Sequence, residues 1–158
     1  MRVTLVAVGR AKAGAVRDLY EDFAGRLDPR RGPLGPLTLK EVEERRPLAP
    51  AELRRREGEL LKSAIPAGAR TIALDWRGRS LSSEDFAALL GRWRDAGVAE
   101  TAFVIGGAEG LDEAQRGAAD LVLSLGPLTW PHMLVRVLLA EQLYRAQTIL
   151  TGHPYHRG

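Results

Sequence analysis

Histidine is the residue type best suited to acid–base chemistry in this sequence, and its placement is uneven. The chain of 158 residues contains three histidines, and all of them lie from residue 132 onward. Two of them belong to the closing segment His153-Pro154-Tyr155-His156-Arg157. Since histidine exchanges protons near neutral pH, this placement predicts a site formed by the end of the chain, with the first two thirds as its scaffold.

Two glycine-containing loops in the last third could bind a ligand through the main chain. One is Gly106-Gly107-Ala108-Glu109-Gly110, and the other runs from Leu125 to Trp130. Glycine lets a ligand approach the main chain closely, and the second loop combines apolar side chains with main-chain donors and acceptors. That composition suits a flat heteroaromatic group such as adenine. The dinucleotide and phosphate-loop fingerprints are absent, so the glycine turn alone fits a turn into a helix equally well.

The elements that must position these residues alternate between strands and helices. Apolar runs predict strands over 3–8, 37–42, 71–75, 101–105 and 121–123, and helical spacing predicts helices over 13–27, 50–65, 83–97, 111–119 and 132–150. Arg77-Gly78 is expected to end the third strand. This alternation is typical of a parallel α/β sheet with helices on both faces. We therefore expect one α/β domain over residues 1–158, with its ligand site at the carboxyl ends of the strands.

Composition excludes several classes of protein. The sequence is 45% hydrophobic and 27% charged, as in ordinary globular domains, and it has no cysteine. Thiol nucleophiles and thiolate metal sites are therefore excluded, and we expect no metal site. We expect no membrane span, because residues 133–150 include Arg136, Glu141 and Arg145. The start of the chain lacks the pattern of a signal peptide, so a cytoplasmic protein is the expectation.

The charge is mildly basic. The formal net charge is +3, from 23 basic and 20 acidic residues. Arginine clusters such as Arg54-Arg55-Arg56 fit contacts with nucleic-acid phosphates. They fit a solvated surface as well, because Glu52, Glu57 and Glu59 surround that cluster. Charge alone leaves both interpretations open.

The segment 132–150 would be apolar around most of its circumference as a helix. A helix on one sheet face needs only an apolar stripe, so this pattern predicts burial on two sides. A homodimer with this helix at a two-fold interface would supply the second side; a helix enclosed within the monomer is the alternative. Structural roles also stay open for single residues: His132 as a helix cap, Arg136 and Glu141 as a buried pair, and Glu141 with Arg145 as an ordinary helical pair.

Several stretches form a recognisable combination. They are Leu5-Val6-Ala7-Val8-Gly9, Leu74-Asp75-x-x-Gly78, Ser82-Ser83-Glu84-Asp85-Phe86, Phe103-Val104-Ile105-Gly106-Gly107-x-x-Gly110, Leu128-Thr129-Trp130-Pro131-His132-Met133-Leu134-Val135-Arg136-Val137, Glu141-Gln142-Leu143-Tyr144-Arg145-Ala146 and His153-Pro154-Tyr155-His156-Arg157. The combination resembles the SPOUT methyltransferases, and within them the RlmH family, which methylates N3 of a pseudouridine in bacterial 23S rRNA. The resemblance spans nearly the whole chain, is poor over residues 28–50, and is most specific in the last two stretches.

The resemblance implies an α/β fold whose C-terminal segment is threaded into a trefoil knot, a homodimer, and S-adenosylmethionine bound in the knot. By position, the cofactor contacts would be Leu74, Gly106, Leu125, Gly126, Pro127, Leu128, Thr129 and Trp130. The implied reaction is methylation of N3 of a pseudouridine in the 23S rRNA of the assembled ribosome. Ala108, Trp130 and Met133 depart from residues common in the family, and Trp130 would reshape the adenine wall.

Methylation of N3 requires removal of the proton on that nitrogen. The candidate bases are His132, His153 and His156, because imidazole can accept a proton near neutral pH. Arg157 or Arg136 would stabilise the anionic base, and Tyr155 would stack on the target or on an adjacent nucleotide. We expect the tail to close over a cofactor pocket, in its own subunit or in the partner; a frayed terminus is the alternative. Two other functions stay open: methylation of another RNA such as tRNA, and a non-catalytic ribosome-binding module.

Overall fold

The structure is a computed structural model that describes residues 1–157. Within these residues, strands and helices alternate along the chain. They are β1 (Arg2–Val8), α1 (Ala15–Arg26), β2 (Leu37–Val42), α2 (Pro50–Ala64), β3 (Arg70–Ser80), α3 (Ser83–Asp95), β4 (Glu100–Ile105), α4 (Glu113–Ala118), β5 (Leu121–Ser124) and α5 (His132–Thr151). The order of elements expected from the periodicity of the sequence is confirmed.

The strands form one parallel sheet in the order β2-β1-β4-β3-β5. Successive residues of a strand point to opposite faces, and the two faces carry separate apolar cores. Leu5 and Phe103 belong to the core formed with α1, α3 and α5. Val6 and Val104 belong to a second core that includes Leu61 of α2. The predicted α/β sheet with helices on both faces is therefore confirmed.

β3 is longer than the sequence suggested, and the expected stop at Arg77-Gly78 is wrong. The strand pairs with β4 as far as Leu74, and after a register shift Arg79 and Ser80 pair with β5. A Cβ on Gly78 would lie 2.6 Å from the carbonyl carbon of Val122. Glycine therefore permits β3 to run close against the main chain of β5. We refer to residues 76–80, which lie beyond the pairing with β4, as the β3 extension.

α5 packs against both α1 and α3. Leu139 and Leu143 on this helix are fully buried, whereas Leu134 is 37% exposed and Leu138 and Tyr144 are half-buried. One side of α5 is thus covered within the protomer, and the opposite side is partly open. Threading of this segment into a trefoil knot stays a prediction. Each helix in residues 1–157 is too short or too polar to serve as a membrane span.

Candidate functional site

The carboxyl ends of β3, β4 and β5 meet at one edge of the sheet. Leu74 pairs with Ile105 of β4 and with Leu123 of β5, and Gly106 follows Ile105 directly. A Cβ on Gly106 would lie 2.6 Å from the carbonyl carbon of Gly110, so the glycine turn folds back tightly on itself. The structure thus brings Gly106, just beyond the end of β4, beside Leu74, the last residue of β3 that pairs with β4; both were expected at the cofactor site.

A cavity of about 370 Å³ opens at this edge, and we refer to it as the loop cavity. Its lining consists of Asp75, Trp76, Leu125, Gly126, Pro127, Leu128, Thr129, Trp130 and Val135. The whole loop 125–130, which the sequence suggested as a cofactor contact, therefore faces one space. Leu74 and Gly106 are not among its lining residues in the described chain. Asp75 belongs to the strand end after Leu74, whereas Trp76 and Val135 are lining residues that the sequence reasoning did not assign to the site.

Two hydrogen bonds between residues close in sequence shape the loop 125–130. The Ser124 hydroxyl accepts a hydrogen bond from the Gly126 N–H at 3.2 Å, and the indole N–H of Trp130 donates to the Leu125 carbonyl at 3.4 Å. Gly126 has a φ of 101°, which other residues rarely adopt. Within the described chain, the position of a Gly126 Cβ has open space for 4 Å around it. The loop therefore leaves its main chain accessible to a ligand.

Asp75 brings a carboxylate to a lining that otherwise consists of uncharged residues. Its side chain is 6% exposed, and its Oδ2 atom lies 3.7 Å from the guanidinium of Arg77 and 3.6 Å from that of Arg116. Its Oδ1 atom accepts a hydrogen bond from the Arg77 N–H at 3.0 Å. The carboxylate is thus fixed in orientation while Oδ2 stays beyond hydrogen-bond distance of both guanidinium groups. The sequence signal for this residue was its position directly after Leu74.

His132 begins α5 immediately after this loop. A Cβ on Gly9 would lie 3.6 Å from His132 Nε2, so the imidazole packs against the end of β1. Burial, and to a smaller degree the charge of Arg136, lowers the pKa of His132, and the ring is therefore neutral near pH 7. Pro131 is the N-cap residue of α5, and no side chain bonds to that cap in the described chain. His132 is therefore not a helix cap.

Arg136 is part of the scaffold. It is 2% exposed, and its guanidinium donates to the Glu41 carboxylate at 2.6 Å and to the carbonyl oxygens of Val8 and Gly9 at 2.8 Å. The suggested pairing with Glu141 is wrong, because two residues five apart on a helix are separated by about 140° around its axis. Arg136 instead ties α5 to the ends of β1 and β2.

The tail, residues 153–157, is docked on α5 and α3. The Tyr155 hydroxyl donates to Glu141 Oε1 at 3.1 Å, and Arg145 donates to the same oxygen at 2.6 Å. His156 Nδ1 lies 3.3 Å from the Arg145 guanidinium, and its Nε2 lies 2.9 Å from Glu84 of α3. Since a guanidinium can only donate, His156 accepts at Nδ1 and donates from Nε2. The helical pair of Glu141 and Arg145 is confirmed, and the tail is held rather than frayed.

The other tail residues are more open. His153 and Arg157 are exposed, and His153 Nδ1 accepts a hydrogen bond from the Tyr155 N–H at 3.1 Å. In the described chain, none of the residues 153–157 lines the loop cavity. Within one protomer the structure therefore brings His132 next to the loop 125–130 but leaves the predicted catalytic residues His153, Tyr155, His156 and Arg157 outside that cavity.

A second cavity, of about 390 Å³, shares Leu125, Gly126 and Trp130 with the loop cavity. At its other end it is lined by Ser83 and Gln142, whose chain neighbours Glu84 and Glu141 hold the tail. Trp130 thus stands in the wall between the two spaces. Within the described residues, no group of histidine and acidic side chains has the arrangement of a metal site.

Comparison with known proteins gives consistent matches. A family model described as predicted SPOUT methyltransferase matches residues 1–156. A protein of Rhodospirillum centenum named ribosomal RNA large subunit methyltransferase H is 59% identical over 157 residues, covering 99% of each chain. A protein of the same name from Paramagnetospirillum magneticum is 56% identical over 157 residues, again covering 99% of each.

Solved structures share the fold. A probable methylase family protein from Haemophilus influenzae superposes with a TM-score of 0.59 at 11% identity, covering 99% of this chain and 70% of its own. A probable methyltransferase from Bordetella pertussis superposes with a TM-score of 0.54 at 21% identity, covering 92% of this chain and 96% of its own. At such identities the likeness concerns the fold alone.

Proposed function

The chain belongs to the SPOUT methyltransferase family, and we propose that it transfers the methyl group of S-adenosylmethionine to N3 of a pseudouridine in 23S rRNA on the assembled ribosome. The names of its relatives assign them to the large ribosomal subunit. The observation that carries the proposal is the loop cavity at the carboxyl edge of the parallel sheet. One domain over residues 1–158 would perform the reaction, in the cytoplasm where ribosomes are found.

The residues around the loop cavity fit S-adenosylmethionine. A volume of about 370 Å³ lies in the range of small-molecule sites. Leu125, Leu128 and Trp130 offer apolar walls for an adenine ring, and the open main chain at Gly126 offers hydrogen-bonding groups. The Asp75 carboxylate offers a negative charge to a cationic group. We assign the cofactor contacts to this loop together with the strand ends Leu74 and Gly106.

When bound, S-adenosylmethionine supplies an electrophilic methyl group carried by a positively charged sulfur. The protein must position the base against that methyl group and accept the N3 proton. His132 adjoins the loop and is neutral near pH 7, because burial lowers its pKa, so it can accept a proton. His153 and His156 already accept hydrogen bonds at Nδ1, and each would have to leave that contact to act as the base.

Arg157 is better placed than Arg136 to stabilise an anionic base. The buried guanidinium of Arg136 is committed to Glu41 and two main-chain carbonyls, whereas Arg157 is exposed. Burial, and then the hydrogen bond to Glu141, raises the pKa of Tyr155, so its hydroxyl stays neutral. We assign Arg157 to the developing charge and Tyr155 to contact with the target base or its neighbour.

We further propose a homodimer in which the tail of one subunit completes the loop cavity of the other. Val16 and Leu19 on α1 are 39% and 47% exposed, and Leu134 on α5 is 37% exposed. Val16 and Met133 line a common cavity, so α1 and the start of α5 contribute apolar side chains to one surface. Arg17, which also lines that cavity, is already paired with Glu21. A two-fold axis through this surface would bury it. The second cavity marks the alternative route, by which the tail would act within its own subunit.

The test uses labelled S-adenosylmethionine with three acceptors: intact ribosomes, naked 23S transcript and tRNA. We expect methylation of the ribosome, mapped by mass spectrometry to N3 of a pseudouridine, with the transcript modified more slowly. Modification of tRNA alone would assign the enzyme to another RNA. If calorimetry detects no heat of binding at high micromolar S-adenosylmethionine, the result would favour a non-catalytic ribosome-binding module.

A further inference from the structure

The β3 extension presents an aromatic side chain at the loop cavity. Trp76 is 70% exposed, the highest value among the exposed large apolar side chains of residues 1–157. It also lines the loop cavity, so its ring stands where that cavity meets solvent. Pairing of Arg79 and Ser80 with β5 fixes the extension in place. An exposed aromatic ring on a rigid strand is suited to stacking.

Arginines accompany this ring. The Arg77 guanidinium lies 4.7 Å from the centroid of the Trp76 ring. Arg79 follows two residues later in the chain. It lines a groove of about 430 Å³ together with Arg70 and Arg92. We refer to this space, between the β3 extension and α3, as the arginine groove. It continues the surface of the extension away from the loop cavity.

The arginine groove differs in charge balance from the arginine cluster on α2. On α2, Arg55 and Arg56 are paired with Glu59. Arg79 and Arg92 are both exposed, and neither forms an ion pair within residues 1–157. Two carboxylates also line the groove.

Those carboxylates leave the groove basic. Asp120 is already paired with Arg70, and Asp85 lies in the first turn of α3. Two exposed guanidinium groups therefore face one exposed carboxylate that has no ion pair in the described chain. The groove thus retains a positive charge on Arg79 and Arg92, whereas Arg55 and Arg56 on α2 are paired with Glu59.

We propose that the β3 extension and the arginine groove hold the RNA strand next to the target nucleotide, with Trp76 stacked on a flanking base and Arg79 and Arg92 bound to phosphates. The inference rests on the proposed function, because the methyl acceptor must reach the cavity that Trp76 lines. Stacking on an aromatic ring tolerates any base, and arginine binds phosphate oxygens through paired hydrogen bonds. The two contacts together would orient a strand without reading its sequence.

The chemistry favours RNA over a second copy of this chain as the occupant. A two-fold interface over Trp76 would bring the exposed guanidinium groups of both subunits into one buried region. Burying cations without partners is costly. A polyanion instead supplies the missing partner to each arginine and releases its own counterions.

The first experiment measures the binding of ribosomes by cosedimentation over a range of salt concentrations. We expect the double variant Arg79→Gln/Arg92→Gln to bind about tenfold more weakly, with the slope of log affinity against log salt reduced by about 2. The double variant Arg55→Gln/Arg56→Gln on α2, whose guanidinium groups are paired with Glu59, removes the same charge and is the matched control, and we expect it to bind like the wild type. Wild-type affinity and slope in the Arg79→Gln/Arg92→Gln variant would overturn the proposal.

The second experiment separates stacking from apolar contact at Trp76. Trp76→Phe keeps an aromatic ring and Trp76→Leu keeps only apolar volume, so we expect about a tenfold loss of ribosome affinity for leucine and a much smaller loss for phenylalanine. Light scattering on the same variants measures the oligomeric state. Dissociation of the leucine variant into monomers with intact ribosome binding would instead identify the extension as a subunit contact.

These measurements also separate the inference from the proposed function. A wild-type protein that binds ribosomes but methylates no RNA would refute the proposed function, and the binding defects of the variants would still decide the inference. A wild-type protein that methylates ribosomes while all variants bind normally would refute the inference alone. Failure of the wild type to bind any RNA would refute both.

Discussion

The loop 125–130 and the tail 153–157 are built in contrasting ways. Residues 127–130 are exposed, and the loop offers main-chain groups and apolar walls to the loop cavity. In the tail, Tyr155 and His156 are held by charged side chains of α5 and α3. The loop suits a neutral ring, and the tail suits protons and charge. Methyl transfer to N3 needs both kinds of surface at one place.

The two regions lie apart in the protomer. Glu141 and Arg145, which hold the tail, are nine and thirteen residues beyond His132 on α5, which is about 14 and 20 Å along the helix axis. A single protomer thus contains both halves of the proposed site without joining them at the loop cavity. The difference predicts that binding and chemistry can be changed separately in this molecule.

The largest expected effect comes from the tail. We expect His156→Ala and Arg157→Ala to lower kcat on ribosomes by at least about 100-fold, because the first removes a candidate base of the tail and the second removes the group assigned to the developing charge. Calorimetry should show unchanged affinity for S-adenosylmethionine. Arg31→Ala, an exposed arginine in the loop after α1, is the matched control. A parallel loss of cofactor affinity would break the distinction between the two regions.

Substitutions in the loop 125–130 should show the opposite pattern, with loss of affinity for S-adenosylmethionine. We expect Leu128→Arg to weaken S-adenosylmethionine binding by about 30-fold, because a second cation would face the sulfonium in a confined space. Leu128 is 67% exposed, so the substitution spares the core. Leu128→Met keeps the apolar wall and serves as the control. Normal calorimetric affinity in the arginine variant would exclude this loop from the cofactor site.

A smaller effect is expected at Asp75. Asp75→Asn removes the charge but keeps the shape, and we expect about a fivefold loss of affinity for S-adenosylmethionine, since Arg77 and Arg116 already offset part of the carboxylate. S-adenosylhomocysteine, whose sulfur is uncharged, should lose less. Equal losses for the two ligands, measured by calorimetry, would show that Asp75 does not face the sulfonium.

The smallest effect concerns stability beneath the glycine turn. Glu57 is 8% exposed, and its Oε2 atom has no hydrogen-bond partner in the described chain. Burial, and then the charge of Glu109, raises its pKa. Because the folded pKa exceeds the unfolded one, the stability associated with Glu57 is complete at low pH and is lost as pH rises through the folded pKa.

Glutamine at this position would avoid that loss. We expect Glu57→Gln to raise Tm at pH 7 by about 2–4 °C, as about 1 kcal/mol does in a chain of this size, and the gain should vanish near pH 4. Thermal unfolding at both values checks the sign. A lower Tm at pH 7 would mean that the ionised carboxylate is stabilised by contacts with the turn.

Local patterns in the sequence were enough to predict most of the fold. The order of strands and helices follows from apolar periodicity, which depends on neighbouring residues. The end of β3 could not be predicted in this way, because the β3 extension depends on pairing with β5 across Gly78. The partner of Arg136 was missed for the same reason, since Glu41 lies 95 residues away in the sequence.

The candidate site was predictable to a similar extent. The loop 125–130 is one continuous run, so the sequence could identify it as a unit. Trp76 and Val135 come from other elements, and only the fold brings them to the loop cavity. The contact of His156 with Glu84 spans 72 residues and has no signature in local spacing.

Activity of mixed dimers tests the central claim most directly, that the tail of one subunit completes the loop cavity of its partner. At S-adenosylmethionine concentrations below the wild-type Kd, Leu128→Arg leaves the cavity largely empty and His156→Ala impairs the tail, so each homodimer should methylate ribosomes at only about 3% of the wild-type rate or less. Heterodimers purified through two different tags would pair one intact cavity with the partner's intact tail, and we expect about half of wild-type activity. Inactive heterodimers would show that each tail serves its own subunit, and would contradict the account.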